Sequence, residues 1–433
     1  MPVTEGRRYA ASILGAVGRG RRLDLAFGDV ADSLDPRDRR WVHEATFGTV
    51  RFRNRLDHLL ELHLKKGLGS VAPPLLDLLR LGAYQLLFMD GVPPYAAISQ
   101  TVDQVRRVGG GGAARLANGV LRSLEREGGA VERFPAFSSD PEAHLATWGS
   151  HPQWLLRRWL SRWRAEEVSA LVEWNNKPPP LFLRPLGISL EEAGRLLHKE
   201  GHEARSAGTG VPCLEVLDGT NPARLLKSFP GIVQDPGAAL VTVFADPERG
   251  ETVFDLCAAP GGKALALAGA GVYVLAADRS RARIRLLAQN RDRVGGRLHL
   301  VVADATRPPF LEARFVLLDV PCSGTGTLRR HPDARWRLLP DTVVKLVAVQ
   351  ERILDVGAQL IPPGGHLVYS TCTLEQEENE LQVDRFLCRN PDFGIEDTGA
   401  VPPAFLNEQG FLCVLPQKAG FDGAFAARLV RRP

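Results

Sequence analysis

What this chain of 433 residues lacks narrows its class before any motif is read. Its six cysteines, at 213, 257, 322, 372, 388 and 413, include no C-x-x-C pair, which argues against zinc ribbons and thioredoxin-type chemistry. Scattered through so long a chain, they also argue against a secreted disulfide scaffold, and no metal site is expected. Long apolar runs are missing. The most apolar stretch, Leu75 to Met89, is interrupted by Asp77 and Arg80 and is too short to span a bilayer. The N-terminal arginines come with no apolar stretch of signal-peptide length, so the cytoplasm is the expected compartment and no membrane partner is expected. Lysine is scarce, and arginine carries nearly all the positive charge. Arginine suits bidentate phosphate contacts and stacking on bases; a GC-rich genome produces the same bias. The formal net charge of +4 is too small to imply nucleic acid by itself, so the placement of charge matters more than its sum.

What is present reads as a multidomain protein. A composition of 44% hydrophobic and 24% charged residues is ordinary for folded domains, and the length calls for two or three cores. From Tyr9 to about Glu127, apolar residues recur three and four apart, as in Leu56, Leu59, Leu60 and Leu64. That spacing predicts an all-α domain over 1–135 with breaks at Asp35-Pro36, Pro73-Pro74, Pro93-Pro94 and Gly109 to Gly112. Arginines cluster in it at 19, 21 and 22, at 37, 39 and 40, and at 51, 53 and 55; such clusters suit either phosphate contacts or a solvated helix face. Arg133 to Pro152 reads as a linker. Five of the seven tryptophans follow at 148, 154, 159, 163 and 174, interleaved with Arg157, Arg158, Arg162 and Arg164. Such rings either form core or stack on single-stranded bases. Strand candidates at Leu181 to Arg184, Cys213 to Leu217 and Ile232 to Gln234, with a helix near Leu190 to Lys199, suggest a small α+β module over 146–230.

Over 231–433 the pattern alternates between strand and helix. Strands are predicted at Thr252 to Leu256, Val272 to Asp278, Leu298 to Ala303, Phe315 to Asp319 and Gly365 to Ser370. Helices are predicted between them, notably Arg279 to Arg293 and Asp341 to Leu360. Apolar strands spaced by helices predict a parallel, doubly wound, Rossmann-like sheet. The run Asp255-Leu256-Cys257-Ala258-Ala259-Pro260-Gly261-Gly262-Lys263 falls where the first strand turns into the first helix, a place where glycines let the backbone approach a ligand. It is not a G-x-G-x-x-G. Asp278 ends the second strand, where a carboxylate can accept the ribose hydroxyls of an adenosine; Asp304, after the third strand, is placed to meet the adenine edge.

Cys322, within Asp319-Val320-Pro321-Cys322-Ser323-Gly324, follows the fourth strand, and Cys372, within Ser370-Thr371-Cys372-Thr373, follows the fifth. Ligands of such sheets bind outside the carboxyl ends of the strands, so both thiols converge on the side of the Gly-rich loop. Cys213, Cys388 and Cys413 are expected to be small buried hydrophobes. Methylation of cytosine at C5 has a use for two thiols. A thiolate added at C6 makes C5 nucleophilic, and after methyl transfer the C5 proton must leave before the thiolate can be expelled. Asp319 can hydrogen-bond the N3/N4 edge of the base, and Lys263 can assist.

These residues closely resemble the RsmB (Sun/Fmu) family of bacterial 16S rRNA cytosine-5 methyltransferases, within the wider Nop-two/NSUN group. The resemblance rests on the loop Asp255 to Lys263, on Pro321 to Gly326 continuing to Arg329-Arg330-His331-Pro332-Asp333, and on Tyr369-Ser370-Thr371-Cys372 with Glu377-Glu378-Asn379. In the helical region, Arg80 to Leu87, Pro93 to Ala97 and Asn118 to Arg122 resemble the NusB-type RNA-binding domain. The resemblance implies S-adenosylmethionine as cofactor, ribosomal RNA as partner, and a monomer. It implies Cys372 as nucleophile, Cys322 as the residue that resolves the adduct, and Asp319 and Lys263 as catalytic partners. It also implies cofactor binding by Cys257, Ala258, Ala259, Pro260, Gly261, Gly262, Lys263, Asp278, Arg283, Asp304 and Asp319. One departure is Ala424-Phe425 after Asp422-Gly423, where the family has two aromatics. Two rival readings stay open: a binding module carrying an inactive methylase, which the cysteine pair argues against, and a dehydrogenase, which leaves both cysteines without a task.

Overall fold

Prolines and aspartates set where the N-terminal helices begin. In the computed structural model, which describes residues 3–218 and 221–433, the Asp35 carboxylate accepts hydrogen bonds from the amides of Arg37 and Asp38 at 2.8 and 2.9 Å, and Pro36 opens the helix. This is an N-cap joined to a proline in the first turn, where its missing N–H costs nothing. The helices are α1 (Glu5–Gly18), α2 (Leu23–Ala31), α3 (Pro36–Arg51), α4 (Arg53–Glu61), α5 (Pro73–Phe88) and α6 (Pro94–Glu127). The glycine run breaks α6 at Gly110, whose φ of +73° and ψ of −170° are not helical. Leu56, Leu59, Leu60, Leu79, Leu121 and Leu124 meet in one core.

The segment expected to be a linker is folded instead. Asp140 caps α7 (Pro141–Thr147) through the Ala143 amide at 2.9 Å, and α8 (Gln153–Leu160) and α9 (Ala165–Asn176) follow. The chain forms two compact units. The first contains the chain up to Lys177 together with Leu328–Leu338. In that second piece Arg335 is fully buried. Its guanidinium donates to the carbonyls of Ser150, Asn175 and Leu328 at 3.1, 3.2 and 3.3 Å and to Asn176 Oδ1 at 2.9 Å. Trp336 donates its ring N–H to the Val50 carbonyl at 2.7 Å.

The second unit, Pro178–Thr327 with Leu339–Pro433, contains two sheets. The smaller has β1 (Leu181–Pro185), β2 (Ala204–Ser206), β3 (Leu214–Val216) and β4 (Gly231–Val233) in the order β2-β3-β1-β4, with the helix Leu190–Lys199 capped by Ser189. The larger is built from β5 (Thr252–Asp255), β6 (Tyr273–Asp278), β7 (Leu298–Val302), β8 (Phe315–Asp319), β9 (His366–Thr371), β10 (Phe393–Ile395), β11 (Leu412–Val414) and β12 (Ala424–Arg431). Its order is β10-β12-β9-β8-β5-β6-β7, with β11 pairing β12.

Strands β5 to β9 are parallel, as the alternation predicts. Beyond them the sheet is extended by strands that patterning did not name: β12 runs antiparallel to β9, and β10 and β11 pair antiparallel with β12. Strand β12 escaped notice for a physical reason. Six of its eight positions are buried, so it shows no two-residue alternation. Its Arg428 looks like a surface residue but is buried, bonded to Glu396 at 2.7 Å and to the Ala245 carbonyl.

Candidate active site

The strand order β9-β8-β5-β6-β7 brings five carboxyl ends into one row. Every candidate site residue lies at these ends or in the loops and first helical turns that follow them, within the second unit. The first loop is held down by Gly261. Its φ of +109° disfavours a side chain, and a Cβ there would stand 2.1 Å from Leu287, so only glycine fits. The helix Gly262–Gly269 starts immediately after it. The Lys263 ammonium, largely buried, lies 2.8 Å from Asp319 Oδ2, and Ser370 Oγ donates to Asp319 Oδ1 at 3.0 Å. Burial alone would lower the Lys263 pKa. The charge and hydrogen bond of Asp319, with Cys372 and Asp255 behind them, outweigh that and raise it.

Behind the ion pair, Asp255 is fully buried. One of its oxygens accepts from the Cys257 amide at 3.3 Å, while Oδ2 has no hydrogen-bond partner among the described residues. Burial, and next the charge of Asp319, push its carboxyl up to about 8. The Cys257 thiol is likewise pushed up by burial and by Asp255, which suits it to lining the loop rather than attacking. An orphaned buried carboxyl oxygen beside a glycine turn is a polar vacancy that a ligand amine or hydroxyl would satisfy. In that respect the residues fit an adenosyl cofactor. Asp278, nearly buried, accepts from the Ser280 amide at 2.8 Å and pairs with Arg283 at 3.0 Å. Asp304 is exposed at the next strand end and accepts from the amide and hydroxyl of Thr306 at 2.8 and 2.7 Å, bonds that hold its pKa down.

The two thiols meet. Cys322 Sγ lies 3.4 Å from Cys372 Sγ and also 3.4 Å from the Cys372 amide nitrogen. The hydrogen bond to Cys372, and then burial, raise the Cys322 pKa. The loops that carry the thiols are laced together by backbone. Gly326 N donates to the Cys372 carbonyl at 3.1 Å, and Gly423 N donates to the Gly326 carbonyl at 2.8 Å. A Cβ on Gly326 would stand 2.7 Å from the Gly423 Cα. Where the family has a further aromatic, Ala424 is buried in the core. Phe425 packs edge-on against Phe411 with ring centroids 5.5 Å apart.

Thus Lys263, Asp319, Cys322 and Cys372 form one cluster, and Asp278 with Arg283 forms a second group two strands away. Of the remaining cysteines, Cys213 is buried, with its thiol pushed up to about 12, Cys413 is half-buried, and Cys388 is exposed, contrary to expectation, on the outer face of the helix Glu380–Arg389. In the first unit, the third arginine cluster is not a free basic face. Arg51 is buried and donates to the Arg329 carbonyl at 3.1 Å, while Arg55 stacks on Trp148 at 3.6 Å. Trp159 is core, and Trp174 carries the Arg329 guanidinium 3.8 Å above its ring. Residue patterning had assigned no role to Ser370, Gln350 or Glu378. Glu378 lay in a motif already noted, but its partners are far away in sequence.

A Rossmann-like sheet with a glycine turn, acidic strand ends and two adjacent thiols fits the class of methyltransferases dependent on S-adenosylmethionine. Comparisons with known proteins agree. Residues 242–430 match the family described as 16S rRNA methyltransferase RsmB/F, residues 4–126 match the NusB family, and residues 151–218 match the RsmF/B-like ferredoxin-like domain. The "Probable ribosomal RNA small subunit methyltransferase B" of Synechocystis is 36% identical over 415 residues, 92% of each chain. The "Ribosomal RNA small subunit methyltransferase B" of Cronobacter sakazakii is 32% identical over 435 residues, 98% of this chain and 97% of its own. The crystal structure of PH0851 shares the fold, with a TM-score of 0.80 at 23% identity over 98% of both chains. The chain therefore belongs to the RsmB/F family of ribosomal RNA methyltransferases.

Proposed function

We propose that this chain transfers a methyl group from S-adenosylmethionine to C5 of a cytosine in small-subunit ribosomal RNA, with Cys372 as nucleophile. The observation that carries the reading is the 3.4 Å pairing of Cys322 and Cys372 beside the Lys263–Asp319 ion pair. The cofactor, when bound, supplies an electrophilic methyl group. The loop Cys257 to Lys263 would hold it, with Asp278, braced by Arg283, on its ribose, Asp304 at its adenine edge and Asp319 at the inner end. A carboxylate hydrogen bond of this kind contributes ~1.5–3 kcal/mol, so Asp278→Ala should weaken cofactor binding tenfold to a hundredfold, roughly, by calorimetry.

The chain's own residues divide the work. The Lys263 ammonium stabilises the Cys372 thiolate that adds to C6 of the base. Asp319 accepts from the exocyclic amine of cytosine and orients its N3/N4 edge. Cys322 is held as a neutral thiol chiefly by its hydrogen bond to Cys372. With Cys372 bonded to C6, Cys322, whose sulfur lies 3.4 Å from that of Cys372, is the second thiol beside the base when the C5 proton must be removed and Cys372 expelled. This placement supports the assignment of two roles to two thiols.

Denaturing gels after incubation with S-adenosylmethionine and substrate RNA test the reading. Cys322→Ala should accumulate a slow-migrating covalent protein–RNA band, and Cys372→Ala should form none. A band in Cys372→Ala alone would reverse the two roles. Trapping of the wild-type protein on RNA containing 5-fluorocytosine should succeed; its failure would remove the covalent mechanism.

A further inference from the structure

A fully buried carboxyl group stands behind the two cysteine loops, and the reaction described above does not use it. Glu378 has no exposed surface. Its Oε1 accepts from the Ser323 amide at 2.9 Å and from Gln350 Nε2 at 2.8 Å, and its Oε2 accepts from the Ser323 hydroxyl. Its backbone carbonyl accepts from the Tyr369 hydroxyl at 2.7 Å. Gln350 also donates to the Pro321 carbonyl at 3.0 Å. Cys322 is therefore gripped on both sides: Pro321 by Gln350, and Ser323 by Glu378.

The adjoining residue holds the other loop. Asn379 accepts from the Thr371 hydroxyl at 2.6 Å and donates to the Thr373 carbonyl at 2.9 Å, so both neighbours of Cys372 are held as well. The Ser323 and Thr373 hydroxyls are 2.6 Å apart and join the two grips. Burying a carboxyl costs several kcal/mol, roughly, unless it is fully hydrogen-bonded, and apolar packing would be cheaper for stability alone. Here the bonds to the carboxyl come from Ser323 beside Cys322, from the glutamine that holds Pro321, and from the Thr373 hydroxyl beside Cys372.

We propose that Glu378 is a positioning residue that holds Cys322 against Cys372. The role rests on the reading that these two thiols share the reaction. Glutamine in its place keeps the volume but offers one acceptor where the carboxylate has two. Its amide N–H groups would face either the Ser323 amide and Gln350 or, turned the other way, the Ser323 hydroxyl, so at least one of the carboxylate's accepted bonds is lost or reversed. The Cys322 loop would shift, and a displacement near 1 Å can cost about a hundredfold in rate. Because the grip on Ser323 is the tighter, resolution of the adduct should suffer more than its formation.

The test compares the intact wild-type protein with Glu378→Gln and, in case that variant does not fold, Ser323→Ala, each checked by thermal melting. Phenylarsine oxide, which bridges two adjacent thiols, measures their juxtaposition without RNA or cofactor; Cys322→Ala sets the background. Capture should weaken about tenfold or more in both variants, on the scale expected for a loosened supporting shell. In Glu378→Gln, kcat should fall about a hundredfold with KM for RNA within about threefold, and a covalent RNA adduct should build up. Glu378→Asp, which keeps two acceptors, should recover part of the capture. Unchanged capture and turnover in a folded Glu378→Gln protein overturn the proposal. Weakened capture without adduct in either Glu378→Gln or Cys322→Ala supports the positioning and removes instead the assigned role of Cys322.

Discussion

The Lys263 ammonium lies 2.8 Å from Asp319 Oδ2 at the meeting point of the cofactor loop and the Pro-Cys loop. Asp319, Cys372 and Asp255 each raise its pKa against the opposing pull of burial. Lys263→Met should therefore destabilise the fold by an amount on the order of 2 kcal/mol, because removing one partner of a largely buried pair leaves the other uncompensated. A lysine with a raised pKa contributes fully below its ordinary value of 10.5 and loses that contribution only as pH rises through the raised one. The lysine's own contribution is thus the same at pH 6 and pH 9, but because Lys263 also holds the Asp255 carboxyl down, the loss should be larger at pH 9 in thermal melts. Iodoacetamide should also alkylate Cys372 more slowly in the variant, since the thiolate loses its neighbouring cation. An unchanged alkylation rate would separate Lys263 from the thiol.

Asp255 predicts the opposite pH dependence. Its carboxyl is pushed up to about 8 from an ordinary 3.8, so between those values the folded state holds a proton that the unfolded state has released. Stability then falls as pH rises through that window. Asn imitates the protonated acid and escapes the effect. Asp255→Asn should gain on the wild type steadily through that window, by roughly 3–4 kcal/mol in stability between pH 5 and pH 8. A constant difference across the range would mean that Asp255 ionises normally.

Much of this architecture was legible because the relevant signals are local. Strand β8 and the helix Leu190–Lys199 fall at the residues expected from patterning, since apolar runs and caps act over a few positions. The Gly109 to Gly112 run announced the break at Gly110. The convergence of Lys263, Asp319, Cys322 and Cys372 followed from placing each at a strand end. What stayed hidden depends on partners distant in sequence. Glu378 gathers Ser323 from 55 residues away and Gln350 from 28, and no spacing rule reports such a meeting. The arginines at 51 and 55 looked like a basic face because composition cannot tell a guanidinium in water from one stacked on Trp148. Strand β12 was missed because burial on both faces erases the alternation that marks a strand.

Arg335 shows how strongly the Leu328–Leu338 piece is built into the first unit. Its buried guanidinium makes four hydrogen bonds to carbonyl and amide oxygens drawn from Ser150, Asn175, Asn176 and Leu328. Arg335→Leu keeps some of the packing but strands those acceptors. With a buried unsatisfied group costing ~1–3 kcal/mol, the total loss should be on the order of 4 kcal/mol. Melting should drop by roughly 10 °C in a unit of this size. Loss of less than about a quarter of that would mean that the acceptors find other donors or water.

The arginines of the first unit should separate into those that meet RNA and those that hold the fold. Arg37 and Arg40 are exposed on α3, where a phosphate can reach them. Arg55 spends its guanidinium on the ring of Trp148 and on the Trp148 carbonyl, to which it donates at 2.6 Å. Each phosphate contact releases counterions and adds ~0.7–0.9 to the slope of log K against log salt. Arg37→Gln with Arg40→Gln should therefore lower the slope for ribosomal RNA by about 1–2, with melting temperature and cofactor affinity unchanged. Arg55→Gln should do the reverse: it should destabilise the unit by about 1–3 kcal/mol, through the lost stacking and the stranded carbonyl, while the slope stays where it was. Filter binding across 50–300 mM salt (about a sixfold range) gives both slopes. An unchanged slope in the α3 double variant would move the phosphate contacts off that face, and a reduced slope in Arg55→Gln would return Arg55 to the RNA surface.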